Sequence, residues 1–232
     1  MSSLLRPHME ILPPAQQRLW RDLPAATKLG MVLYGGTAIA LHLGHRASVD
    51  FDFFTQNSLV KDALRNHFPF LSISTVLQET ANAYTVLVPY GEAPINHVKV
   101  SFFGAIQIGR VGIPSCTEDC MLQVASLDDL MATKVKVMLQ RVEAKDYIDI
   151  AAMVKAGVSL AKGLAAARVM YGQNFQPSES LKAMVYFEGG DLATLTAETK
   201  NVLIAAASAV RDLPHVELLA RDLAIPRKAC AS

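Results

Sequence analysis

An arm that ends at Pro13-Pro14 precedes the first regular pattern. Ala15 to Lys28 then reads as a helix that offers Leu19 and Trp20 to a core. It breaks near Pro24, because proline lacks the N–H that a helix interior needs. Met31-Val32-Leu33-Tyr34 is an apolar run of strand length. Gly35 and Gly36 follow, and Thr37 opens a helical pattern through Ile39, Leu41 and Leu43. Val49 to Phe54 alternates again as a strand, and Ser58 to His67 has the apolar stripe of an amphipathic helix. Strand-type residues return in Phe70 to Leu77, Ala83 to Val88 and Val98 to Phe103. A further strand, Ile106 to Val111, is expected to continue as a hairpin after Gly104.

From Ser126 the period becomes helical. Ser126 suits an N-cap with Asp129 three residues on, and this helix is expected to run to Arg141. Asp146 to Lys155, Ser159 to Tyr171, Ser178 to Phe187, Glu198 to Asp212 and Val216 to Leu223 are the later helices. The pattern predicts an α+β fold: a mixed or antiparallel sheet with helices on one face, then a helical C-terminal part. The expected division is residues 1–113 and 114–232.

Composition changes little in this picture. The 232 residues carry a net charge of +1, so bulk charge points to no nucleic-acid partner, though a local basic groove is compatible with it. No segment approaches the roughly 20 apolar residues of a membrane span, and the N-terminus lacks an apolar signal core. Cys116, Cys120 and Cys230 make no disulfide framework, and Cys116 and Cys120 have no nearby His/Cys pair to complete a zinc site. A soluble, cytoplasmic protein is the expectation.

The chemistry gathers in GGTAIALHLGHRASVDFDFFT, from Gly35 to Thr55. Side chains alternate along a strand, so Asp50 and Asp52 share a face. Two such carboxylates repel unless a cation lies between them, and their oxygens suit Mg²⁺. Gly35 and Gly36 admit a ligand close to the backbone, and the N–H groups that open the next helix form an anion site. A phosphate cradle beside an aspartate pair is the design of phosphoryl or nucleotidyl transfer. His45, Arg46 and Ser48 precede Asp50; Arg46 can meet phosphate or pair with an acid.

Gly-Gly-Thr followed by Asp-x-Asp on the next strand resembles the signature of the DNA polymerase β-type nucleotidyltransferase superfamily. The fuller string resembles the AbiEii/AbiGii toxin family, nucleotidyltransferases of bacterial abortive-infection and toxin–antitoxin systems. LMATKVKVMLQRVEAKDYIDI resembles that family's second pattern, a Lys on a helix, an Arg further on and a basic-Asp-x-x-Asp string. The resemblance implies that Lys134 meets the triphosphate and that Arg141 assists, or pairs with Asp146 or Asp149. Lys134 and Arg141, seven apart, are expected on one helix face, and Asp146 and Asp149 on another. A structural ion network between two helices is the competing reading for these charges.

The resemblance implies Mg²⁺ on Asp50 and Asp52, an NTP substrate cradled by Gly35, Gly36 and Thr37, an RNA acceptor such as tRNA or a protein acceptor, and a cognate antitoxin. One element departs from the pattern. The superfamily's third carboxylate belongs near position 101, on the strand from His97 to Phe103, and this chain has Ser101. Three consequences are open. Catalysis runs on two aspartates with another base; Asp146 or another acid substitutes; or the protein binds nucleotide without efficient transfer. A phosphotransferase using the same cleft is a further alternative.

Overall fold

The computed structural model describes residues 4–90 and 97–226. Its strands are β1 (Leu4–Leu5), β2 (Val32–Tyr34), β3 (Asp50–Phe54), β4 (Thr75–Glu79), β5 (Ala83–Pro89), β6 (His97–Phe103), β7 (Ser115–Thr117) and β8 (Gln123–Val124). The helices are α1 (Pro14–Leu19), α2 (Ala25–Lys28), α3 (Gly35–Leu43), α4 (Lys61–His67), α5 (Leu127–Val137), α6 (Ala144–Lys155), α7 (Leu160–Tyr171), α8 (Pro177–Val185) and α9 (Ala197–Ala209). The fold is α+β, as the sequence pattern predicts.

The chain forms two compact units. The first holds all the strands and α1 to α4. It comprises the residues up to Gly109, the segment Ile113–Ala125 and the described residues from Ala220 onward. The second holds α5 to α9, together with the short segment Arg110–Gly112.

The strands of the first unit make one sheet in the order β1-β7-β8-β2-β3-β6-β5-β4. It is mixed: β3 runs antiparallel to β2 and parallel to β6, and β6 runs antiparallel to β5. Alternation sorts the residues of β3. Phe51 and Phe53 are fully buried, while Asp50, Asp52 and Phe54 take the opposite face. Phe53 stacks on Phe102, which also meets Phe68, and Trp20 lies 6.3 Å from Phe51. This aromatic core fixes which face of β3 is apolar, so a one-residue slip would bury both aspartates.

Several expectations are corrected. Phe70 to Leu77 is not one strand: Pro69–Ile73 forms a 3-10 turn, since proline's fixed φ suits a helical first turn, and β4 starts only at Thr75. The hairpin after Gly104 does not form. Ala105 takes a φ of 53° and its N–H bonds the Asn57 carbonyl, turning the chain out of the sheet. Val216 to Leu223 is not a helix; the N–H groups of Leu219 and Leu223 bond the Arg110 carbonyl and the Gln56 side chain instead. Cys116 is disulfide-bonded, where the sequence alone offers no disulfide framework. Among the described residues, no helix is long and apolar enough to cross a membrane.

Candidate active site

The glycine turn lies inside the first turn of α3 rather than before it. Gly35 is the first helical residue and has a φ of 75°, a conformation costly for any residue with a Cβ. No side chain of the N-cap residue, Tyr34, caps the helix start. The leading N–H groups therefore have no partner further up the helix, the condition for an anion site. At the other end Gly44 closes the helix in the left-handed conformation.

The predicted residues of the first unit come together here. A Cβ on Gly35 would stand 2.6 Å from Oδ2 of Asp52, so the carboxylate lies directly against the turn. A Cβ on Gly36 would run into Nη2 of Arg46, and Ser48 Oγ is close by. Arg46 also donates from Nη1 to the Ala47 carbonyl, 2.9 Å away. The Thr37 side chain is buried: its hydroxyl donates to the Asp50 carbonyl and shares a 2.8 Å hydrogen bond with the Ser48 hydroxyl. Those bonds tie the start of α3 to the start of β3, leaving the Thr37 backbone as its contribution to an anion site. His42 packs beneath, its Nε2 2.9 Å from the Ala125 carbonyl. Burial lowers its pKa, which favours a neutral ring donating Nε2–H.

Register on β6 completes the site. Asp52 pairs with Ser101 and Asp50 with Lys99, so all four residues share one face. Ser101 thus occupies the place beside Asp52 where the superfamily pattern calls for an acid, and it is buried. Lys99 Nζ lies 2.7 Å from Asp50 Oδ2. The sequence places Lys99 on this strand but does not reveal the pairing. Its signal is the two-residue spacing from Ser101, readable only once β3 and β6 are known to be parallel neighbours.

The residues fit a divalent ion in part. Asp50 and Asp52 offer hard oxygens on one face, and Asp50 already holds a cation, the Lys99 ammonium. Among the described residues no group of three or more His, Cys, Asp or Glu side chains could hold a metal. A Mg²⁺ ion there would take its other oxygens from nucleotide phosphate and water.

The second constellation lies in the helical unit. Ser126 caps α5 by accepting from the Asp129 N–H at 3.1 Å. The helix ends at Val137, so Arg141 stands in the loop before α6 and does not share a helix face with Lys134. The two converge by another route. Lys134 Nζ lies 2.6 Å from Asp146 Oδ1 and 2.7 Å from Asp149 Oδ2, and Arg141 Nε donates to Asp146 Oδ2 at 2.9 Å. Asp146, Asp149 and Lys134 are buried, while 43% of the Arg141 side chain is exposed. Burial would raise the Asp146 pKa, but the Arg141 hydrogen bond and the Lys134 charge outweigh it and hold the carboxyl below its ordinary value. The Asp146 carboxylate is therefore kept ionised, with both oxygens engaged by Lys134 and Arg141.

Comparison with known proteins identifies the family and the fold. The family model for the nucleotidyl transferase AbiEii toxin of type IV toxin–antitoxin systems matches residues 18–219. An uncharacterized protein of Aquifex aeolicus is 28% identical over 159 residues, 67% of this chain and 73% of that one. A Helicobacter pylori protein assigned as a nucleotidyltransferase superposes with a TM-score of 0.57 at 18% identity, covering 83% of this chain and 91% of that one. The Mycobacterium tuberculosis nucleotidyltransferase toxin MenT4 gives a TM-score of 0.55 at 11% identity, covering 84% and 82%. At these identities the two structures speak for the fold.

Proposed function

Since the chain belongs to the AbiEii nucleotidyltransferase toxin family, we propose that it transfers a nucleotidyl group from an NTP to an RNA, such as tRNA, or to a protein, with Mg²⁺ held by Asp50 and Asp52. The observation that carries this reading is the Asp52 carboxylate set against Gly35 at a helix start whose N-cap side chain makes no capping hydrogen bond. It brings a metal ligand and a phosphate cradle to one place.

In the reaction an acceptor hydroxyl oxygen bonds the α-phosphorus and releases its proton to solvent, the bridge to the β-phosphate breaks and pyrophosphate leaves. The N–H groups from Gly35 to Thr37 hold phosphate oxygens, with the Arg46 guanidinium beside Gly36 adding charge-assisted bonds. Ser48 and Thr37 keep the start of α3 in register with β3. Bound Mg²⁺ supplies charge neutralisation at the reacting phosphates. Lys134 engages Asp146 and Asp149 and so holds α6 to α5, keeping a buried positive charge in the helical unit. Arg141 supplies the more exposed cation of that cluster. A separately encoded antitoxin restrains the activity, and the protein works in the cytoplasm.

Ser101 favours a second reading, a nucleotide-binding protein of the same fold with weakened transfer, because a hydroxyl takes no proton near neutral pH. Transfer of α-labelled NTP into RNA or protein, dependent on Mg²⁺ and reduced at least about 10³-fold in Asp52→Ala, supports the enzyme. Nucleotide binding that depends on Asp52, without transfer, supports the second reading.

A further inference from the structure

We propose that Lys99 is a placeholder cation, an ammonium that occupies the Asp50 side of the carboxylate pair until a divalent ion displaces it. The inference rests on the reading of Asp50 and Asp52 as metal ligands. Lys99 is the neighbour of Asp50 across the parallel β3–β6 ladder, and its Nζ lies 2.7 Å from Asp50 Oδ2. The next position along the same face of β6 is Ser101, beside Asp52. β6 thus presents a cation and a neutral hydroxyl where a site built for strong metal binding presents carboxylate.

The charges have a definite consequence. Without a metal, two carboxylates on one strand face repel, and the ammonium removes that repulsion. The site is then held in shape without metal, which keeps Asp52 against the glycine turn. With 38% of the Lys99 side chain and 28% of the Asp50 side chain exposed, a solvent ion can reach the pair and the ammonium can swing away. An exposed ion pair of this kind is weak enough to be exchanged. An arriving ion must nevertheless overcome repulsion from the ammonium, so Lys99 lowers metal affinity. Two charges against one at about 5 Å in a water-like dielectric correspond to about a tenfold effect.

The test is Mn²⁺ binding without nucleotide, followed by the electron paramagnetic resonance signal of free Mn²⁺. Wild type, Lys99→Met, Lys99→Gln, Lys99→Arg and Asp52→Ala are compared, each checked by circular dichroism. Lys99→Met and Lys99→Gln should bind Mn²⁺ about tenfold more tightly than wild type, while Lys99→Arg stays within about threefold. Thermal melts give a second readout: added Mn²⁺ should raise the melting temperature of Lys99→Met more than that of wild type. Equal Mn²⁺ affinity in wild type and both neutral variants, lost in Asp52→Ala, overturns the placeholder role and leaves the metal site standing. Mn²⁺ uptake that Asp52→Ala does not change overturns both, and no uptake in any variant overturns the placeholder role, since Lys99 then yields to no ion in the absence of nucleotide.

Discussion

Gly35 answers to two constraints at once, a positive φ and the carboxylate of Asp52 pressed against it. Gly35→Ala should therefore lower stability by about 1–2 kcal/mol through the left-handed backbone alone. It should also push Asp52 out of place, so that NTP binding weakens beyond what the melting temperature predicts; calorimetric titration against the variant's own melt separates the two. Ser101 offers the converse experiment. Ser101→Asp places a third carboxylate beside Asp52 in a buried position. The variant should be destabilised without metal, by like-charge repulsion and burial, and should regain stability on adding Mg²⁺. A Ser101→Asp chain whose melting temperature ignores Mg²⁺ would contradict the placement of the metal on this face. At this scale the placement of Asp50 and Asp52 on one strand face and of the glycines at the helix start was legible, because both follow from local patterns. Lys99 was harder to read, since its partner is set by strand order rather than by neighbours in the chain.

Among the elements, β2, α3 and β3 were legible because their apolar periods are clean and glycine marks the junction. The ends of elements were not. α5 stops at Val137 and leaves Arg141 in a loop, yet Arg141 still reaches Asp146, a contact made by tertiary packing that no helical spacing encodes. Val216 to Leu223 carries an apolar pattern but is irregular, with the N–H groups of Leu219 and Leu223 paired with distant acceptors. The α5–α6 cluster makes its own predictions. Lys134→Met leaves buried carboxylates short of a cation and should cost about 3–5 kcal/mol in urea unfolding. Loss of transfer in that variant would report folding as well as chemistry. The Asp146 carboxyl is held low, so the stability it contributes is present above the ordinary carboxylate range and is lost as pH falls through its lowered value. Asp129 runs the other way: burial raises its pKa, so its ionisation costs stability as pH rises. Between pH 5 and 2.5, in steps of about half a unit, wild type should therefore lose more stability than Asp146→Asn. Parallel unfolding curves for the two proteins would deny Asp146 that role.

For the whole molecule, the two compact units each carry one constellation: the aspartate pair and glycine turn on the sheet, the lysine–aspartate cluster on the helices. Family membership connects the chain to nucleotidyl transfer, while the roles of both constellations, the acceptor and the metal belong to the proposed chemistry. The most direct measurement supplies purified protein and Mg²⁺ with each NTP labelled in turn at the α- or the γ-phosphate, with total RNA and then a protein extract as acceptor, beside Asp52→Ala. The account predicts α-label in one acceptor class, no γ-label there, and loss of both signal and pyrophosphate release in Asp52→Ala. γ-Label in the acceptor would make the protein a phosphotransferase, and α-label that persists in Asp52→Ala would contradict the site itself.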